Sequence, residues 1–380
     1  MRVVFLTHNY PRAAGDIAGG FLHPLAVALS RRGVDVQVIA PSDAGKGGRD
    51  VLDGIPVARV RYDDPERETL AYTGRMQDAL QSPGGVFSFY RLWKSLRQAA
   101  AEATAGRNDA VLHAHWWIPA GLAVPPGRRF VLTSHGTDVR LLERWALARW
   151  LARPVYQRAA VVTAVSSHLA EQIGRFTGRS VPPDRVQPMP VDTSHWGFSP
   201  GGGGLIAVAR LTEQKRLHLL IGAIVSLKGR GITLPCTIVG DGPARRGLEQ
   251  QARAEGVDQL VEFVGQQAFP DVLARLQHAD VAILPARAEG FGLSAAEALM
   301  AGIPIVVCRD GGGLLDLAEP GASRVAEPEP LALADAIGDL LASGGAREAA
   351  RQAGLRWRER LGPDAVAARF ESWYAEAARA

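Results

Sequence analysis

Short, wholly apolar runs alternate with helix-length amphipathic segments along the entire chain, and this pattern limits the fold more than any other feature. In the first half, residues 3–7, 34–40, 57–60, 110–114, 130–134 and 160–165 read as strands, and 20–32, 86–103 and 139–158 as helices. In the second half, the strand candidates are 205–209, 236–239, 260–264, 281–284 and 305–307. Helical patterns there cover 215–228, 243–255, 270–277, 293–301 and 331–341. Strands that are apolar on both faces and separated by helices predict parallel sheets covered on both sides. The expectation is therefore α/β, with two Rossmann-like, doubly wound domains facing a central cleft. The glycine-rich stretch 199–204 reads as a hinge, which divides the chain into 1–198 and 199–362. Residues 41–85 read as an irregular insertion. A last helix, 363–380, carries Phe370, Trp373 and Tyr374 on one side and is expected to dock, with the first domain as its candidate platform.

At 380 residues, the length fits two domains. With 47% hydrophobic and 22% charged residues, the chain is neither disordered nor a disulfide-stapled miniprotein. No apolar run has the length of a spanning helix, and the N-terminus reads as a strand rather than a signal peptide. Two cysteines, Cys236 and Cys308, make no disulfide framework, so a reducing cytoplasm is the expected compartment. The net charge of +4 is uneven: residues 1–195 hold 24 basic against 17 acidic side chains. The first half is thus the one expected to meet an anionic partner. Of the 43 basic residues only Lys46, Lys94, Lys215 and Lys228 are lysines.

The most informative stretch runs from Glu289 through Gly290, Phe291, Gly292, Leu293 and Ser294 to Glu297, between a strand and a helix. The glycines let backbone approach a ligand, and the helix N-terminus turns free amides and positive dipole toward phosphate. Glu289 and Glu297 can accept hydrogen bonds from hydroxyl pairs. The plain structural alternative is a capped glycine turn. Arg210 ends a strand and Lys215 opens the next helix; two cations at that spacing can clamp a diphosphate. A lysine there, in so arginine-rich a chain, hints at a size requirement; the alternative is a solvated turn.

Weaker signals lie in the first half. Gly19 and Gly20 precede a helix and could form a backbone nest, although an ordinary loop is the favoured reading. His135 and Asp138 follow a strand and suit hydroxyl recognition. His113 and His115 alternate on a strand, but no third ligand stands at metal spacing, so packed histidines are expected and metal is not. Gly240, Asp241 and Gly242 lack the third glycine of a dinucleotide fingerprint, since Arg245 stands in its place. The chain has no D-x-D pair, which argues against an obligatory metal–diphosphate bridge.

Taken in order, these motifs resemble the family 4 glycosyltransferases, retaining enzymes of the GT-B fold. The resemblance rests on Gly19-Gly20, the His135-Gly-Thr-Asp138 turn, Arg210 with Lys215, the 239–243 turn, Glu289-Gly-Phe-Gly through Glu297, and Gly311-Gly312. The loop 320–324 departs from the family pattern, and no role is carried over from it. The resemblance implies that Arg210 and Lys215 hold the nucleotide diphosphate. Glu289 and the amides of Phe291, Gly292 and Leu293 would hold sugar and phosphate, and Glu297 the ribose. His135 would contact the donor sugar, Gly19 and Gly20 would line the diphosphate and acceptor side, and the base would rest near Val264 and Gly265. The catalytic set is then His135, Arg210, Lys215 and Glu289, with no cofactor beyond the nucleotide-sugar donor and no metal.

On the acceptor side, His115, Trp116 and Asp138 are candidates, with Trp116, Trp117, Ile118 and Pro119 as an apolar or stacking wall. A saccharide, polysaccharide-precursor or lipid-linked acceptor is expected. Residues 140–158 hold five arginines, one glutamate, Trp145, Trp150 and Tyr156, and can lie on an anionic bilayer such as the inner face of the plasma membrane. Arg91, Trp93, Lys94 and Arg97 form a second basic–aromatic cluster. A solvated basic helix with its tryptophans in the core is the equal alternative. No nucleic-acid module is present, and none is expected as partner. Two other functions compete: hydrolysis by Glu289 and Glu297, which leaves Arg210 and Lys215 idle, and a catalytically silent nucleotide-sugar-binding protein.

Overall fold

Burial on both faces shapes both sheets. In the first sheet, β1 (Arg2–Leu6) is buried from Val3 onward, and β5 (Ala110–His115), β6 (Phe130–Ser134) and β7 (Val161–Ala164) are buried at every residue. With β2 (Asp35–Pro41), β3 (Gly48–Leu52) and β4 (Ile55–Val60) they form a seven-stranded sheet in the order β3-β4-β2-β1-β5-β6-β7. The computed structural model describes all residues except 14, 17, 73–75, 77–80, 108 and 195. The chain divides into two units, Met1–Asp192 with Leu361–Ala380, and Thr193–Arg360.

The first sheet is parallel except at β3, which runs antiparallel to β4. Residues 41–85, expected as irregular, thus contain a hairpin. Its turn, Asp53-Gly54, has φ of 47° and 81°, the left-handed pair a tight two-residue turn requires. Helices α1 (His23–Arg31), α2 (Pro83–Ala103), α3 (Thr137–Arg144), α4 (Ala146–Arg158) and α5 (Ser167–Thr177) belong to this unit. The helix expected over 139–158 is two helices, because Trp145 is extended (φ −130°, ψ 124°) and breaks the register.

In the second unit, β8 (Leu205–Val208), β9 (Cys236–Val239), β10 (Val261–Gly265), β11 (Val281–Leu284), β12 (Ile305–Cys308) and β13 (Ser323–Ala326) form a parallel sheet ordered β10-β9-β8-β11-β12-β13. Its helices are α6 (Leu217–Gly229), α7 (Arg245–Ala254), α8 (Phe269–Leu276), α9 (Leu293–Met300), α10 (Pro330–Ala342) and most of α11 (Ala346–Leu361). The last helix, α12 (Pro363–Arg379), belongs to the first unit, with Phe370 and Tyr374 fully buried.

The glycine run 199–204 is not a free linker. The amides of Gly202 and Gly204 each donate to the Asp280 carboxylate at 2.8 Å, and Arg347 donates to the same group at 2.8 Å. The division between units falls ahead of it, at Asp192 and Thr193.

Strand order also says where ligands go. In an open parallel sheet, connections diverge where the order reverses, leaving a crevice at the strand C-termini. That point lies between β1 and β5 in the first sheet, and between β8 and β11 in the second.

Candidate active site

In the second unit, the loops leaving β8 and β11 carry the residues singled out from sequence. Lys215 Nζ donates to Glu289 Oε2, joining two side chains 74 positions apart. Both line one hollow with Gly292 and Ser294. Gly292 (φ 97°) starts α9 with no side-chain cap, so the first amides of that helix stay available to an anion. Its positive φ is one that side-chain-bearing residues rarely adopt, and a Cβ there would come within 2.3 Å of the Leu314 side chain, which would have to shift. Gly290 and Phe291 are buried, the Phe291 ring 5.7 Å from Trp357, which leaves the Phe291 main chain as its contribution.

Glu297 sits about one turn into α9. Burial pushes its carboxyl up to about 7, because desolvation disfavours the charged form. Arg210 stands exposed two residues beyond β8, with no side-chain hydrogen bond to the described residues. Val264 and Gly265, expected beside the base, close edge strand β10, and the Val264 carbonyl accepts from Gln267 Nε2 at 2.7 Å.

Sequence reasoning missed the tie that holds these loops. Lys215 ends a short 3-10 turn rather than opening a helix, since Arg216 adopts a left-handed conformation (φ 48°) and α6 starts only at Leu217. The Arg216 guanidinium then grips Asp310 through two bonds of 2.9 and 2.6 Å and the Pro285 carbonyl at 2.8 Å. The loops after β8, β11 and β12 are thereby fastened together. Beside that clamp, the Glu289 amide donates to the Gly311 carbonyl and the Gly313 amide to the Glu289 carbonyl, at 2.9 and 2.8 Å. Nothing in the spacing of positions 216 and 310 signalled this pair.

In the first unit, the corresponding crevice holds a cavity of about 340 Å³ whose lining includes His8, Asn9, Phe21, Trp116, His135 and Asp138. Gly19 (φ 70°) brings its backbone against Asn9, where a Cβ would meet the Asn9 carbonyl at 2.3 Å, whereas Gly20 faces open space. The His135 ring lies 4.5 Å from Trp116 and 5.2 Å from Phe21. Beneath it, His135 Nε2 and His115 Nδ1 share a 3.1 Å hydrogen bond, and His115 stacks 3.9 Å from His113. His113 is in turn bonded to Thr133 and to the Tyr374 hydroxyl of α12, both at 2.7 Å. Burial lowers all of these histidines, His8 to about 4 and His135 to about 3, so they stay neutral near pH 7.

The expected acceptor-side residues Asp138 and His115 lie at different depths. Asp138 is 2% exposed, and its carboxylate accepts the amides of Trp117, His135 and Gly136 at 3.3, 3.2 and 3.1 Å. It shapes the turn before α3 while lining the cavity. His115 is fully buried, one layer below the cavity. Trp117 is core, donating to the Asp138 carbonyl at 2.8 Å, while Trp116 lines the cavity. His8 and Asn9 were missed, although they follow β1 as His135 follows β6. Among the described residues, no group of three or more His, Cys, Asp or Glu side chains gathers at metal-binding distances.

One strand-end crevice is built of neutral rings, the other of cations with a helix N-terminus. The chain belongs to the family 4 glycosyltransferases and has the GT-B fold: residues 197–357 match the glycosyl transferases group 1 family and residues 19–195 match glycosyltransferase family 4. It is a glycosyltransferase. It is 28% identical over 341 residues to the glycogen synthase of Mycobacterium tuberculosis, covering 82% of this chain and 79% of that one. The teichuronic acid biosynthesis glycosyltransferase TuaC of Bacillus subtilis, a putative assignment, is 25% identical over 360 residues, 89% of this chain and 88% of its own. Among solved structures, the sucrose-phosphate synthase of Thermosynechococcus elongatus superposes with a TM-score of 0.79 at 18% identity, covering 99% of each chain. Anabaena HepE in complex with UDP-glucose gives 0.72 at 18%, again covering 99% of each.

Proposed function

We propose that this chain transfers a hexosyl group, with retention, from a nucleotide-diphosphate sugar to a saccharide, polysaccharide-precursor or lipid-linked acceptor, without a metal. The observation that carries the reading is the Lys215–Glu289 pair at the N-terminus of α9. Breaking a sugar–phosphate bond leaves negative charge on the diphosphate and positive charge on the sugar. A diphosphate competes for the Lys215 ammonium, and Arg210 and the α9 amides add preorganised stabilisation of the leaving group. Glu289, released from Lys215, accepts sugar hydroxyls. Cations and amides thus do the neutralising that a D-x-D pair with its metal does elsewhere, and the sequence has no such pair. Retention follows when the acceptor attacks from the leaving-group face and the departing phosphate takes its proton.

A thermal-shift panel of UDP, GDP and ADP identifies the base, because a ligand bound only by the native state raises the melting temperature. Lys215→Ala and Glu289→Ala are each expected to lower turnover at least about 100-fold. Near-wild-type turnover in both overturns the assignment.

We further propose a peripheral position on an anionic membrane surface, at the cytoplasmic face. No helix among the described residues is long and apolar enough to cross a membrane. The tryptophans of 140–158 are not core: Trp150 is 70% exposed, Leu147 65% and Trp145 43%. Arg144 and Arg153, also exposed, lie beside them. On α2, Val86, Phe87 and Tyr90 are exposed as well, near Arg91 and Lys94.

A further inference from the structure

Each partner of the Lys215–Glu289 pair has a strained neighbour. Arg216, directly after the lysine, and Ala288, directly before the glutamate, both have φ 48°, a left-handed conformation that side-chain-bearing residues seldom adopt. Alanine has no polar side chain with which to favour that conformation locally, so the contacts around it must impose the turn. Strain of this kind persists only where the surrounding structure over-determines the backbone.

Here it does so through three loops. The Arg287 amide donates to the Gln214 carbonyl at 3.0 Å, and Gln214 Nε2 returns a bond of 3.0 Å to the Arg287 carbonyl. The Ala288 amide donates to the Asp310 carbonyl at 2.9 Å, while the carboxylate of the same Asp310 takes the forked Arg216 guanidinium. Asp310 thus ties the residue before Glu289 to the residue after Lys215. Behind them, Glu289 and Gly312 form a parallel bridge, and a Cβ on Gly312 would come within 3.0 Å of the Ala288 Cα. The hydrogen bonds of the Arg216 guanidinium end on Asp310 and the Pro285 carbonyl, so this cation serves the loops rather than a ligand.

We infer that Arg216, Asp310 and Ala288 are positioning residues that act through Lys215 and Glu289. They hold both backbones fixed, so that the glutamate stays in place for the sugar when the diphosphate takes the ammonium. Lysine hangs on a flexible four-carbon stem, and a mobile backbone beneath it would add to that freedom. Misplacing a reacting group by about 1 Å can lower a rate about 100-fold. The consequence for turnover rests on the transferase reading; the frame itself is a property of the unliganded chain.

Thermal denaturation of the full chain tests the frame without any ligand. Lys215→Ala and Glu289→Ala are expected to shift the melting temperature non-additively, because the pair couples them. In an Arg216→Gly background the two shifts are expected to add, since glycine keeps the left-handed turn without strain and only the guanidinium is lost. Coupling that survives Arg216→Gly unchanged overturns the inference, and so does its absence from the wild type. Turnover gives a second readout, taken as nucleotide diphosphate released from UDP-glucose, GDP-mannose or ADP-glucose. Arg216→Gly and Asp310→Ala are each expected to lower kcat about 10- to 100-fold, and the double variant no further, with donor KM changed less than about threefold. Arg216→Lys keeps the charge without the fork and is expected to recover only part of the loss. Ala288→Gly discriminates most sharply: relief of the positive φ should let it melt no lower than wild type, yet it should turn over about tenfold more slowly with Glu289 loosened. Wild-type kcat in Ala288→Gly or in Arg216→Gly overturns the inference. Calorimetry with UDP, GDP and ADP reports separately on the transferase reading: if none binds, that reading fails, while the ligand-free coupling still decides the frame.

Discussion

The ribose contact expected of Glu297 would depend on pH. Its carboxyl is raised to about 7 by burial, against 4.5 for an ordinary glutamate. A carboxylate accepts two ribose hydroxyls only when ionised, so acceptor capacity is present above about 7 and lost below it. The donor KM is therefore expected to rise as pH falls from about 8 to about 6, with kcat less affected. Linkage runs the other way for the unliganded fold. The unfolded chain ionises this group near 4.5, so stability held at low pH is lost as pH rises through about 7. Glu297→Gln removes that loss: it should melt higher than wild type near pH 8 while binding nucleotide more weakly. A donor KM flat across this range, or a variant melting no higher, contradicts the assignment. The carboxylate's position was legible from its spacing after Glu289, but its raised pKa was not, since desolvation depends on the surrounding fold.

At the scale of elements, the turn into α9 tolerates little change. Gly292→Ala puts a Cβ against Leu314 at a left-handed φ, so both packing and backbone oppose it. A loss of nucleotide affinity larger than the loss in melting temperature is expected, read by calorimetry beside thermal denaturation. Wild-type affinity in a stable variant shows that the turn does not hold the ligand. Strands such as β6, β9 and β11 were legible to the residue, because burial leaves short, largely apolar runs. The β3–β4 hairpin was hidden by its composition: the whole of β3 before Leu52 is exposed, and only Asp53-Gly54 marked it. The break at Trp145 and the left-handed Arg216 were illegible for another reason. Arg216 is fixed by its clamp on Asp310, 94 positions away, whereas the bonds around the exposed Trp145 are local.

For the whole molecule, the two units divide the chemistry. The second offers cations and helix amides beside Glu289; the first offers neutral rings, backed by the layer that runs from His135 through His115 and His113 to Tyr374 of the terminal helix. The charge asymmetry read from sequence also has a surface expression in the exposed Leu147 and Trp150 beside arginines. Wild-type protein is expected to float with anionic vesicles at low salt, and Leu147→Glu with Trp150→Glu to abolish this without lowering the melting temperature. Wild type that stays at the bottom of the gradient contradicts the membrane proposal and leaves the transfer chemistry standing.

That chemistry is tested most directly by a crystal structure of the protein with the nucleotide diphosphate that stabilises it most. The expected result has diphosphate oxygens bonded to Lys215 Nζ, the Arg210 guanidinium and the first amides of α9, with Glu289 turned off Lys215. A nucleotide seated elsewhere, with the Lys215–Glu289 pair intact and Arg210 still in solvent, contradicts the account.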